Sequence, residues 1–138
     1  ILSDAEIGLI CDGHHVSDAM LTLALRAHGA GRCHIVSDAM PTVGGPDHFT
    51  LYGQTIRVAD GRLINAEGRL AGAHTTMAEG VARLVTALGQ PLETALRMAI
   101  TNPARVIGAD PSLESQPAAD LLIWNAALKP RFLTDTLG

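Results

Sequence analysis

Two short apolar runs, each ending on an aspartate, constrain the fold of this chain more than any other feature. Residues 6–11 (Glu-Ile-Gly-Leu-Ile-Cys) lead into Asp12-Gly13, and residues 32–36 (Arg-Cys-His-Ile-Val) lead into Ser37-Asp38. Their apolarity is continuous rather than alternating, which predicts strands covered on both faces, as in a parallel sheet. Parallel neighbours need a crossover of about a dozen residues or more, and the intervening segment supplies one. Ser17 can cap a helix running to about His28, with Met20, Leu21, Ala24 and Leu25 on one side and Gly29 as its stop. The predicted unit is a right-handed strand–helix–strand crossover. Both strands deliver polar residues at their carboxyl ends.

The pattern changes after residue 48. Phe49 and Leu51, then Ile56 and Val58, alternate with polar residues, and Asp60-Gly61 is a strong type I′ turn signal before Arg62-Leu63-Ile64. A β-hairpin inserted after the second parallel strand is expected, with a further turn at Glu67-Gly68. Two helices follow. Thr76 and Glu79 have capping-box spacing, with Met77, Val81, Leu84, Val85 and Leu88 as the apolar stripe and Gly89 as the stop. Pro91 opens the next helix, Leu92, Ala95, Leu96 and Ala99 face inward, and Asn102-Pro103 is expected to break it. Residues 109–118 read as a polar connector and residues 120–124 as a final strand.

Composition narrows the function classes. A length of 138 residues fits one domain or a piece of a larger one, and 47% hydrophobic residues give ample material for a core. No apolar run approaches the roughly 20 residues that span a bilayer. The net charge is −4, the only lysine is Lys129, the arginines are scattered, and aromatics make up 3%. A nucleic-acid surface, with its basic stripe and stacking platform, is therefore not expected. Cys11 and Cys33 form no CxxC pair and no disulfide framework, so buried free thiols in a cytoplasmic protein are expected. The chain opens on Ile, with no basic n-region, which predicts a processed or truncated start rather than a signal peptide.

In α/β proteins the loops at the carboxyl ends of parallel strands converge on one crevice. Asp12-Gly13-His14-His15 is the first cluster there. Neighbours on an extended chain point to opposite sides, so at most one of the two histidines faces a site, and a structural role is open to either. The second cluster is Ser37-Asp38-Ala39-Met40-Pro41, followed by Val43-Gly44-Gly45. A carboxylate after an apolar strand is costly to bury unless it is paired, metal-bound or solvated at a cleft; Asp38 can equally cap a turn. His28 and His34 bracket the start of the second strand, the wrong end for catalysis, and His48 reads as a loop residue without an evident partner.

Four segments now stand in a telling order: Asp12-Gly13-His14-His15-Val16, Ile35-Val36-Ser37-Asp38-Ala39, Leu70-Ala71-Gly72 leading to Thr76-Met77, and Met98-Ala99 with Asn102-Pro103-Ala104. Their order and spacing resemble those of the N-acetylglucosamine-6-phosphate deacetylases of the amidohydrolase superfamily. The likeness covers roughly residues 1–108, and Ala119-Asp120-Leu121 resembles the family's returning C-terminal strand. It implies an α/β fold: the C-terminal segment of a (β/α)8 barrel with its seventh and eighth strands, the inserted hairpin, and a final strand of a small β-sandwich. The implied division is a barrel portion at 1–108, a connector at 109–118 and an incomplete β domain at 119–138.

The same resemblance implies hydrolysis of the acetamide of N-acetylglucosamine 6-phosphate by a cytoplasmic enzyme, expected as a homodimer, with one divalent metal ion, zinc or iron. His15 would help hold the sugar phosphate, with Asp12, Gly13 and His14 in its loop; Leu70, Ala71 and Gly72 match a substrate-contacting segment. Asp38 would be the catalytic acid/base. A carboxylate in that role can take the proton of the attacking water, whose pKa a divalent ion lowers to about 7, and return it to the leaving amine. His14 and His74 depart from the family pattern and are expected to be incidental. The family's metal ligands, a Glu and two His, belong to earlier strands, so no ligand is expected within this chain except for Asp38 beside the ion. The isolated chain is accordingly expected to bind no metal and to be inactive. The open side of its sheet should be covered by its own helices in a nonparental arrangement or by another copy. Two alternatives stay open: a metal-dependent amidohydrolase acting on a cyclic amide or dipeptide, and a noncatalytic half-barrel module binding a partner or sugar phosphate.

Overall fold

The computed structural model describes residues 4–136. Strands β1 (Ile7–Ile10) and β2 (Cys33–Val36) pair in parallel, with Ile7 opposite Cys33 and Ile10 opposite Val36. Helix α1 (Asp18–His28) joins them: the Ser17 side chain accepts the Met20 N–H, and Gly29, at φ 87°, ends the helix. Leu21 and Leu25 are buried, but Met20 is 54% exposed. It sits about 100° round the helix from Leu21, past the edge of the apolar stripe.

Alternation along the strands sends Leu9, Cys33 and Ile35 towards the helices and leaves Gly8 and Val36 exposed on the opposite face. Helices α2 (Met77–Thr86) and α3 (Leu92–Ala99) complete the core, in which Val81, Leu84, Ala95 and Met98 pack with Leu9, Leu21 and Ile35. The expected capping box forms: Thr76 Oγ1 accepts the Glu79 N–H at 3.1 Å, and Glu79 Oε2 accepts the Thr76 N–H at 2.7 Å. Cys11 and Cys33 are buried free thiols, as expected, and burial pushes the Cys11 thiol up to about 11.

The inserted element is larger than a hairpin. It is a three-stranded antiparallel meander of β3 (His48–Leu51), β4 (Gln54–Ala59) and β5 (Arg62–Ile64). Asp60 and Gly61 have φ 50° and 72°, both positive as a type I′ turn requires. The other turn, Tyr52-Gly53, has φ 49° and 77°, and a bulky residue at positive φ gives little warning in a sequence. His48 therefore lies in a strand rather than a loop, and its Nδ1 is 2.8 Å from Asp47 Oδ1.

Asn102-Pro103 does not break the helix. The break falls at Ile100, and both residues lie in the first turn of a new helix, α4 (Thr101–Ile107), where the missing N–H of proline has no intrahelical partner to lose. Asn102 is buried and donates through Nδ2 to Ala30 O at 2.8 Å and Cys33 O at 2.6 Å. Arg105 donates to Glu6 Oε1 at 2.9 Å and Gly31 O at 2.7 Å. Together they strap α4 across the amino ends of both parallel strands. The strand expected to be the last, β6 (Leu122–Trp124), starts later than residue 120 because Ala118–Asp120 form a 3₁₀ turn, and a further strand, β7 (Pro130–Phe132), pairs with it in an antiparallel hairpin. No described helix is long and apolar enough to cross a membrane.

Candidate functional site

The last β1–β2 pair is Ile10 with Val36, so Asp12 and Asp38 each stand two residues beyond the sheet, at the same end. Asp12 organises its own loop. Its Oδ1 accepts the N–H groups of His14 at 2.9 Å and His15 at 3.0 Å, and Oδ2 lies 2.8 Å from His15 Nδ1. The Asp12 side chain is only 5% exposed. Burial alone would raise its carboxyl pKa, but the two N–H donors and the His15 ring outweigh that and hold it below the ordinary range. With Nδ1 engaged, Nε2 is the ring atom His15 has available for a ligand. The backbone at 12–16 is bent rather than extended, and the two histidines still differ: His15 turns to Asp12, while His14 is exposed, with Nε2 beside Gly61 in the meander turn.

Asp38 is exposed and has φ 52°, in the left-handed region. Its carbonyl accepts the Ala73 N–H at 2.9 Å, and Met40 N–H donates back to Ala73 O at 3.2 Å. That parallel bridge fixes the backbone of the Asp38 loop, while no hydrogen bond among the described residues holds the carboxylate. The Leu70-Ala71-Gly72 segment leads into the bridge: Ala71 N–H donates to Leu63 O at 3.0 Å, and Gly72, at φ 87°, sits so close to the Met40 side chain that a Cβ would collide with it. Leu70 is exposed. His74 accompanies the bridge, its Nδ1 3.0 Å from the buried Thr42 hydroxyl, a contact that ties two loops together.

The structure thus brings Leu70, Ala71 and Gly72 to the Asp38 loop, and Asp12, Gly13, His14 and His15 into one turn at the neighbouring strand end. Arg83 escaped the sequence reading. Its Nη2 donates to Asp18 Oδ1 at 2.7 Å, a partner 65 residues away that no local pattern announces. A recess of about 350 Å³ opens here, lined by Asp12, Gly61, His74, Glu79 and Arg83 among others. The amide of Thr76 is the main influence holding the Glu79 carboxyl below its ordinary range. Among the described residues, no three His, Cys, Asp or Glu side chains converge as a metal site would require.

No family model matches the chain. The N-acetylglucosamine-6-phosphate deacetylase of Haemophilus influenzae is 36% identical over 116 residues, covering 82% of this chain and 30% of the relative. The N-acetylgalactosamine-6-phosphate deacetylase of Escherichia coli O157:H7 is 35% identical over 112 residues, covering 80% of this chain and 29% of the relative. Among solved structures, N-acetylglucosamine-6-phosphate deacetylase from Pasteurella multocida superposes with a TM-score of 0.85 at 34% identity, over 94% of this chain and 35% of that one. The chain therefore spans about a third of the length of these three proteins.

A crossover unit with an acid and an oriented histidine at its carboxyl ends, matched this far, is similar to a segment of the deacetylases of the amidohydrolase type. In particular, the chain is a homologue of the N-acetylglucosamine-6-phosphate deacetylases, matching a portion of them consistent with the C-terminal part. The superposition also corrects one expectation. Of the two covers expected for the open side of the sheet, a nonparental arrangement of the chain's own helices is not what forms, since the superposition extends over 94% of this chain; cover by another copy of the chain stays an expectation. The reason lies in the core: Leu9, Ile35, Val81, Leu84 and Met98 all come from this segment, so the helix–sheet contact needs no other strand.

Proposed function

We propose that the complete protein hydrolyses the acetamide of N-acetylglucosamine 6-phosphate, releasing acetate and glucosamine 6-phosphate. The observation that carries this reading is the common placement of Asp38 and the Asp12–His15 pair, in register beyond two paired parallel strands. Asp38 takes the proton of the attacking water and returns it to the leaving amine, a role suited to a carboxylate that no donor among the described residues occupies. His15, its ring oriented by Asp12, meets the sugar phosphate through Nε2. Leu70, Ala71 and Gly72 contact the sugar beside the Asp38 loop. In this reading β1 and β2 are the seventh and eighth strands of a (β/α)8 barrel within residues 1–108, residues 109–118 connect, and residues 119–138 belong to a small β domain. The complete enzyme is a cytoplasmic homodimer.

A divalent ion, zinc or iron, would supply water activation. The described residues do not form a site for it by themselves, since a mononuclear hydrolytic site needs about three protein ligands. Those ligands would come from outside this chain, with Asp38 beside the ion.

Asp38→Asn in the complete enzyme tests the reading, because it keeps the shape and removes the proton acceptor. Turnover should fall by about 10² or more while substrate still binds. Near-normal turnover would remove Asp38 from the mechanism.

A further inference from the structure

We infer that Arg83 is the positioning residue of the Asp12–His15 loop, a clamp whose single guanidinium touches both ends of the segment joining β1 to α1. Gly13, at the start of that segment, has φ 82°, and a Cβ built on it would lie 2.6 Å from Arg83 Cζ, 2.8 Å from Nη2 and 2.9 Å from Nε. The guanidinium thus fills the space that a side chain at Gly13 would take. At the other end of the segment, Arg83 Nη2 donates to Asp18, the first residue of α1, at 2.7 Å. Between these contacts run His14 and His15.

The clamp has a firm base. Arg83 lies between Val81 and Leu84 on α2, which are 1% and 0% exposed in the main core. It also carries a cost: Arg83 Nε is buried with no hydrogen-bond partner among the described residues. A group that serves only Asp18 could have been a lysine, which is a point charge on a flexible stem. A planar guanidinium can lie against Gly13 and reach Asp18 at once. Asp12 orients the His15 ring from within the loop, whereas Arg83 fixes where the loop stands relative to α1 and α2. The consequence for phosphate binding rests on the function proposed above; the clamp itself does not.

Hydrogen exchange on the complete protein, comparing wild type with Arg83→Met and Arg83→Lys, tests the clamp. The amides of His14 and His15 should exchange about tenfold faster in Arg83→Met, less so in Arg83→Lys, and at unchanged rates at Leu9, Ile35 and Leu84. Should Arg83→Met fail to fold, Arg83→Lys and Asp18→Asn carry the test, each with about threefold faster loop exchange. Unchanged loop exchange, or equal acceleration of the core amides, would overturn the inference. In the kinetics of the complete enzyme, Arg83→Lys should raise KM for the phosphorylated sugar about fivefold and leave kcat within about twofold. Faster loop exchange with KM unchanged would uphold the clamp and instead reject His15 as the phosphate contact.

Discussion

Replacing Asp12 probes the loop on which the proposed site depends. Asp12→Ala deprives three donors of their acceptor: the amides of His14 and His15 and the Nδ1 of His15. A hydrogen bond to a charged group contributes about 1.5–3 kcal/mol. The His14 amide can turn to water, and the variant is relieved of a carboxylate whose side chain is 5% exposed, so the net loss should be about 2 kcal/mol. Asp12→Asn keeps the Oδ1 acceptor and should lose about half as much. In urea denaturation, the midpoint of Asp12→Ala should fall by about 1 M with an unchanged slope. The pH dependence carries a sign. Because the folded state holds this carboxyl below its ordinary value of 3.8, the stabilisation is fully present above that value and disappears as pH falls through the depressed one. The gap between wild type and Asp12→Ala should stay level from about pH 5 to 8 and close below about pH 4. A loss under about 0.5 kcal/mol, or a gap that persists at low pH, would refute the assigned role.

Two further outcomes follow from neighbouring contacts. His15→Ala should weaken binding of the phosphorylated substrate much more than that of unphosphorylated N-acetylglucosamine; equal losses in direct binding measurements would make the residue structural. Asn102→Ala strips the carbonyls of Ala30 and Cys33 of a buried donor and should lower stability by about 2–4 kcal/mol by chemical denaturation, leaving His14 and His15 exchange unchanged.

Much of this architecture is written in local signals. The Ser17 cap, the Thr76–Glu79 box and the Asp60-Gly61 turn each need only a few adjacent residues, and each forms as its sequence predicts. The misses share another cause. Pro103 reads as a breaker, yet a proline in a helix's first turn is tolerated, so the break moves to Ile100. Tyr52 adopts a positive φ because strand pairing on both sides demands it, and only the glycine after it, Gly53, marks the place. At the site, the strand ends and their candidate residues could be read from apolar runs, and the family likeness supplied roles for them. The bridge from Asp38 to Ala73 and the reach of Arg83 to Asp18 join residues far apart in the chain, where periodicity carries no information.

The strap at the amino ends of the strands bears on how the chain acquires its fold during synthesis. Glu6 is made 99 residues ahead of its partner Arg105. Cys33 O waits 69 residues for Asn102. At about 5–20 residues per second, β1 and β2 exist for several seconds before α4 can fasten them. During that interval the pair is an unlatched nascent structure, with the apolar faces of Leu9 and Ile35 still awaiting α2 and α3. Chaperone engagement and cleavage by proteases would fall within this window, and synonymous codon changes between residues 36 and 101 would lengthen or shorten it without altering a single contact in the finished protein.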